Sequence, residues 1–310
     1  MSTLQNNLQE YLRVRRSLGL KLRDVDMQLS KFVSFLERQG LSHITTEATL
    51  SWLEPMSISP STKASRWGMV RHFAQYVSAL DPQNEVPPSG LLPGRYCRKQ
   101  PYIYSDGEIA QLLHAAQQIP WAGGFKAKTY STFFGLLIAT GMRVGEALSL
   151  NDQDVDLEEG ILTLNGTKFH KSRLVPVHPS TREKLRQYAR CRNQLYPRPK
   201  SPSFFVSTRG TRLLMCNVWD MFIRLSCQIG LRKPSDRHGP RLHDFRHRFA
   251  VKTLLDWYRT GVDVEQHIAE LSTYLGHGHP SCTYWYLSAT PELLRRAAMR
   301  VDHQRKGWTS

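Results

Sequence analysis

The sequence predicts a mainly α protein in two parts: a small helical bundle, then a larger, mostly helical α/β domain with a small antiparallel sheet. Three observations lead there. Apolar residues recur at helical spacing from residue 4 to about 80 with no strand pattern. A Pro/Gly-rich stretch then interrupts the chain. Beyond it, helical patterns resume around only two clear strand-like runs, Ile161–Leu164 and Arg173–Val177.

In the first part, residues 1–81, Leu4, Leu8, Tyr11 and Leu12 share one helical face, with Arg13, Arg15 and Arg16 following. Asp24 is placed to cap a second helix carrying Met27, Leu29, Phe32, Val33, Phe35 and Leu36, which ends near Gly40. A short helix is expected over Thr46–Leu53. Pro60 suits the first turn of another, bearing Trp67, Val70, Phe73, Ala74 and Val77. Four or five helices result, with Lys63, Arg66 and Arg71 available for phosphates. Residues 82–101, rich in Pro and Gly and ending on Arg95, Arg98 and Lys99, read as an extended linker.

The second part, residues 102–310, opens with a capping box at Ser105 and Glu108. A buried helix around Phe133–Thr140 ends at Gly141, and Glu146–Leu150 starts another. The two strands flank a hairpin connection. Ser180 and Glu183 form a second capping box, opening a helix to about Tyr196. Phe204–Val206 reads as a short strand, and helices are expected near 217–228, 243–260, 264–275, 281–288 and 292–303.

The 310 residues suffice for two domains, and 40% are hydrophobic. No apolar run approaches the ~18 residues of a membrane span, and the start lacks a signal-peptide pattern. The five cysteines are scattered and never in C-x-x-C spacing. That argues against a disulfide framework or a thiolate zinc site, and fits the bacterial cytoplasm. A net charge of +16, spread along the chain, calls for a polyanionic partner, nucleic acid first and an anionic membrane second.

The chemistry concentrates between Arg241 and Leu287. His243 and Arg246 are three apart, on one face of a helix. His277 follows Leu275-Gly276 at a helix end, and Tyr286 comes after the break at Pro280, with His279 and Tyr284 as neighbouring alternatives. Upstream, Arg143 lies in Thr140-Gly-Met-Arg-Val-Gly-Glu146, where Gly141 and Gly145 allow backbone to approach closely. Lys168 and Lys171 lie in the hairpin, from which a lysine can protonate a leaving oxygen. Arginine forks, imidazoles and a phenol suit attack on a phosphodiester without a metal. His243 and His247 stand at i, i+4, a metal-ligand spacing, but no acidic or thiolate residue completes a set, so neither metal nor cofactor is expected.

Jointly, Ala139–Leu150, Gly166–Pro176, Leu242–His247, and Leu275–His277 with Tyr286 resemble the tyrosine recombinase (phage integrase) family in order and spacing. The resemblance covers about Tyr102 to Arg300. The first part is similar to the family's SAM-like core-binding domain only in size, helicity and charge. The resemblance implies a site-specific DNA strand transferase acting through a 3′-phosphotyrosyl link. In it Arg143 and Arg246 hold the phosphate, Lys168 protonates the leaving 5′ oxygen (Lys171 the second choice), and Tyr286 is the nucleophile. His243 and His277 fill the two other active-site positions. It also implies a clamp on duplex DNA and a homo- or hetero-tetramer on two duplexes, serving integration, excision or transposition. A type IB topoisomerase or a non-catalytic DNA-binding regulator would share parts of this pattern.

Overall fold

A computed structural model describes residues 3–94, 100–120, 124–165, 172–236, 238–288, 292–295 and 298–299. The chain divides into two compact units, Met1–Lys99 and Gln100–Ser310.

In the first unit the described elements are four helices, α1 (Thr3–Ser17), α2 (Arg23–Arg38), α3 (Thr46–Leu53) and α4 (Pro60–Ser78). Their apolar stripes meet in one core that includes Leu8, Leu12, Phe32, Leu36, Trp52, Trp67, Val70 and Phe73. The Thr45 side chain caps α3 and Ser59 caps α4. Asp24 does not cap α2. The helix starts two residues earlier than such a cap would place it, behind Leu22 in a left-handed conformation, and Asp24 lies inside the first turn, where its charge still favours the helix N-terminus.

Residues 84–94 are irregular yet fastened to this bundle. The Ile44 amide donates to Asn84 Oδ1 at 2.9 Å and the Thr46 amide to Glu85 Oε2 at 2.7 Å. Trp67 Nε1 donates to the Pro88 carbonyl and Arg71 to the Pro87 carbonyl. Lys63 donates to the Glu54 carbonyl, and Arg66 contacts the Met56 sulfur. The three cations expected to serve phosphates thus have partners within their own unit.

In the second unit, α5 (Asp106–Gln117) opens on the expected capping box, with Ser105 and Glu108 bonded reciprocally. It packs beside α6 (Phe125–Thr140), which Gly141 ends at φ +60°. A Cβ there would stand 2.7 Å from the Phe249 ring, so position 141 needs glycine both for its backbone angle and for space. The short α7 (Val144–Ser149) follows. The sheet is β1 (Val155–Asp156), β2 (Ile161–Leu164) and β3 (Arg173–Pro176), antiparallel in that order. Leu162 pairs with Val175 and Leu164 with Arg173. Leu162, Leu164 and Val175 point into the core while Leu174 faces out.

The helix α8 (Pro179–Leu195) is capped by the His178 side chain accepting from the Ser180 amide, not by Ser180 itself, because Pro179 already occupies the first turn. Phe204–Val206 is not a strand; only isolated bridges occur there, Val206 with Arg212 and the preceding Ser203 with Asn151. The remaining elements are α9 (Met215–Gln228), α10 (Asp244–Thr260), α11 (Val264–Leu275) and α12 (Ser281–Tyr284), with a 3-10 turn over Trp285–Ser288. Half of the helix expected over 292–303 lies outside the described residues. Among the described residues no helix is long and apolar enough to cross a membrane.

The first turn of α10 is anchored from its N-terminal side. Tyr104 stacks on Phe245 with ring centroids 4.8 Å apart and donates to the Arg241 carbonyl. Arg248 donates to the Tyr104 carbonyl and pairs with Asp106.

The Asn84 contact makes a measurable claim about the first unit. Asn84→Ala leaves the Ile44 amide unsatisfied in a buried place and should cost about 1–3 kcal/mol. Hydrogen exchange across residues 44–94 should accelerate. Unchanged protection of the Ile44 amide would mean that the asparagine does not tie this segment down.

Candidate functional site

Three arginines far apart in sequence converge on one helix end. The last turn of α11 and its cap present the carbonyls of Tyr274, Leu275 and Gly276, which have no partners further along the helix. Arg173 Nε donates to the Tyr274 carbonyl at 2.9 Å. Arg246 Nη2 donates to Leu275 at 2.6 Å, and Arg143 Nη2 to Gly276 at 2.8 Å. Arg246 also donates through Nη1 to the Gly141 carbonyl at 3.0 Å, so it joins the ends of α6 and α11. Both helix ends carry partial negative charge, which suits guanidinium partners. Gly276 has φ +66°, and a Cβ on it would press to 2.5 Å from Arg173 Nη1, so glycine is required here too.

Glu146, 7% exposed, balances the charge. Its Oε1 accepts from Arg143 Nη1 at 2.6 Å and from Arg173 Nη1 at 3.1 Å. Its Oε2 accepts from Arg173 Nη2 at 2.8 Å and from the Arg143 backbone amide at 2.9 Å. Burial alone would raise this carboxyl. The bonds from Arg173 and Arg143 overcome burial and hold it below the usual glutamate range. Arg143 is the N-cap of α7 and Glu146 its third residue, so a helix start fixes both. Gly145 meets no neighbouring atom, and no close backbone approach occurs there.

Arg246 is 2% exposed. Burial first, and then the Arg143 charge, push its pKa down to about 10, while Tyr286 and Glu146 oppose that shift. It therefore stays protonated at neutral pH. His243, three residues earlier, is pushed down to about 4 by burial, then by Arg246. The residue also keeps exposed surface. The downward direction is what its neighbours secure, since Arg246, Arg241 and Arg143 oppose protonation and Asp244 alone favours it.

On the other side lie His277 and Tyr286. His277 Nδ1 bonds Thr283 Oγ1 at 2.7 Å, and its ring lies nearly parallel to that of Tyr286, centroids 6.1 Å apart. Tyr286 is 1% exposed and sits in an apolar cluster with Val251, Leu254, Leu271 and Leu275. Its hydroxyl meets His247 Nδ1 at 3.1 Å. Tyr284 and His279 are exposed instead.

Of the residues expected from the sequence, Arg143, His243, Arg246, His277 and Tyr286 are therefore brought together, while Lys168 and Lys171 lie outside the described residues. Sequence reading missed three members. Arg173 looked like the first residue of a strand, Glu146 like a helix start, and His247 was considered only for metal. Among the described residues no group of three or more His, Cys, Asp or Glu could hold a metal ion.

Comparison with known proteins places the chain in a family. Residues 104–292 match the model of the phage integrase family. The protein named integrase/recombinase y4rB of Sinorhizobium fredii is 46% identical over 309 residues, covering 98% of both chains. The tyrosine recombinase XerD of Staphylococcus saprophyticus is 26% identical over 300 residues, covering 93% of this chain and 96% of that one. In fold, the chain is similar to a lambda integrase in a tetramer bound to a Holliday junction. The TM-score is 0.61 at 17% identity, over 90% of this chain and 79% of that one.

The Glu146 network has a pH signature. Its carboxyl titrates below the ordinary value of 4.5 when folded. Its stabilisation is therefore complete above the unfolded value and is lost as pH falls through the folded one. Glu146→Gln leaves two guanidinium groups without their carboxylate and should cost roughly 3–5 kcal/mol at neutral pH. Urea unfolding from pH 7 to pH 3 should show a smaller acid loss in the variant than in the wild type. Parallel curves would show that Glu146 does not carry this charge balance.

Proposed function

Because the chain belongs to the phage integrase family of tyrosine recombinases, DNA strand-transferring enzymes, we propose that Tyr286 attacks a scissile phosphate in duplex DNA. The product is a 3′-phosphotyrosyl link and a free 5′ hydroxyl. The 5′ hydroxyl of a second strand reverses the step, and the bond energy is kept in the covalent link. One observation carries this reading. Arg143 and Arg246, a hundred residues apart, bond consecutive carbonyls immediately before His277, whose ring lies against Tyr286.

Each guanidinium has five N–H donors in a fixed fork. Two guanidinium nitrogens of each are bonded to protein groups, so donors remain for phosphate oxygens. Held in place before substrate arrives, they stabilise the charge that develops in the transition state without reorganising. Lys168 is assigned the proton for the leaving 5′ oxygen, with Lys171 the alternative. His243, one helical turn before His247, is assigned a hydrogen bond to the phosphate. The net charge of +16 supports a DNA partner through phosphate contacts. A solved neighbour is a tetramer on a Holliday junction. By that likeness, four protomers would act on two duplexes here, in integration, excision or transposition of a mobile element.

Tyr286→Phe removes only a hydroxyl, so DNA binding should persist while the covalent adduct on a nicked duplex disappears. An adduct that survives Tyr286→Phe and is lost in Tyr284→Phe would place the nucleophile elsewhere. Sequencing the DNA trapped on the wild-type protein identifies its target.

The arginines make a separate claim. Arg143→Lys or Arg246→Lys keeps the charge but loses the fork, and should slow cleavage by about a hundredfold or more with little change in DNA affinity. Cleavage should also continue in excess EDTA, since the fork and the lysine do the work of a divalent ion. Activity that needs added magnesium or zinc would count against the scheme.

A further inference from the structure

We propose that His247 is the base that takes the proton of the Tyr286 hydroxyl during strand cleavage. The inference rests on Tyr286 being the nucleophile and adds a residue that none of the expected roles includes. A phenol with an ordinary pKa near ~10 is a poor nucleophile at neutral pH until its proton has somewhere to go.

Geometry selects His247 among the three nearby histidines. Its Nδ1 is 3.1 Å from Tyr286 Oη, within the range for direct proton transfer. His277 turns its Nδ1 to Thr283 Oγ1 and meets Tyr286 ring against ring. His243 lies one helical turn before His247, its ring centroid 4.8 Å from that of His247. Of the two, it is His247 that meets the Tyr286 hydroxyl.

His247 is firmly placed for the task. It is 6% exposed, follows Arg246 directly on α10, and its ring contacts those of Trp285 and Tyr286 at 5.6 and 5.5 Å. The same helical turn therefore supplies a phosphate-binding arginine and the acceptor for the nucleophile's proton. The tautomer required is neutral, with the proton on Nε2 and the Nδ1 lone pair toward the hydroxyl.

The step balances. As the Oη–P bond forms, the hydroxyl proton passes to Nδ1, giving an imidazolium. The P–O5′ bond breaks, and the leaving oxygen takes a proton from the acid assigned to Lys168. In the rejoining direction His247 returns its proton to Oη, so no other reactant is consumed.

The test uses full-length protein and a nicked duplex carrying the sequence trapped on the wild type. Single-turnover adduct formation and DNA affinity are measured for His247→Asn and His247→Ala. Asparagine can accept the hydroxyl hydrogen bond near the position of Nδ1 but cannot take a proton. Both variants should bind DNA as the wild type does and form adduct about 10²- to 10⁴-fold more slowly. Added imidazole should restore part of the rate of His247→Ala. A duplex with sulfur at the bridging 5′ position has a leaving group that needs no acid, and the defect should persist on it because Tyr286 must still lose its proton. His247→Asn cleaving at the wild-type rate would reduce the histidine to a hydrogen-bonding support and overturn the proposal. So would full recovery of both variants on the sulfur-bridged duplex, which would make His247 an acid. The underlying reading fails separately, if Tyr286→Phe still forms the adduct.

Discussion

Three consecutive carbonyls at the end of α11 set the geometry of everything around them. Tyr274, Leu275 and Gly276 accept from Arg173, Arg246 and Arg143, side chains contributed by β3, by α10 and by the start of α7. A helix C-terminus must place its unpaired carbonyls somewhere, and a buried one cannot leave them to water. Here three guanidinium groups meet that demand. The sheet, two helices and the loop after α6 are drawn to one point as a result. The two glycines fit the same crowded place: the Gly141 and Gly276 carbonyls accept from Arg246 and Arg143, and a Cβ at either position would meet Phe249 or Arg173.

Three like charges in one place would repel, so their assembly needs compensation. Glu146 supplies a full negative charge bonded to two of them, and the helix ends supply partial ones. The compensation is incomplete. Burial comes first in depressing the Arg246 pKa, and the Arg143 charge adds to it; for His243 the charges of Arg246, Arg241 and Arg143 add to burial in the same direction. A phosphodiester entering this field would complete the balance. The guanidinium donors that protein groups leave unused are held ready by the fold rather than created on binding.

Much of the fold was legible because the patterns are local. The helices of the first unit, the capping box at Ser105 and the strand pair around the hairpin all rest on spacings within a few residues. The local cues that failed are instructive. At the α8 start Pro179 took the first turn and moved the cap to His178, and at α2 Leu22 in a left-handed conformation displaced Asp24. In the site, Arg143, Arg246, His277 and Tyr286 could be named because their residue types and spacing match a known pattern. Arg173 could not, since its partners Glu146 and Tyr274 are 27 and 101 positions away and a strand-initiating arginine carries no signal of its own. His247 was hidden differently. Its partner lies 39 positions downstream, and its i, i+4 spacing from His243 drew attention to metal binding instead.

The distribution of these groups among elements also has a physical logic. The arginines sit at a helix cap, on a long helix and on a paired strand, each with at least two bonds to fixed groups. Tyr286 lies instead in a 3-10 turn after a four-residue helix, a geometry with weaker hydrogen bonds that is inexpensive to shift. Its hydroxyl is nearly inaccessible in the free protein, yet attack needs phosphorus within about 3–3.5 Å of the oxygen. Something must move when DNA arrives, and the least costly element to move is the one bearing the nucleophile. Fixed cations and an adjustable phenol are the division of labour that a strand transferase requires. In the proposed mechanism the arginines would grip the phosphate in one geometry throughout, while Tyr286 would alternate between holding a proton and holding a DNA end.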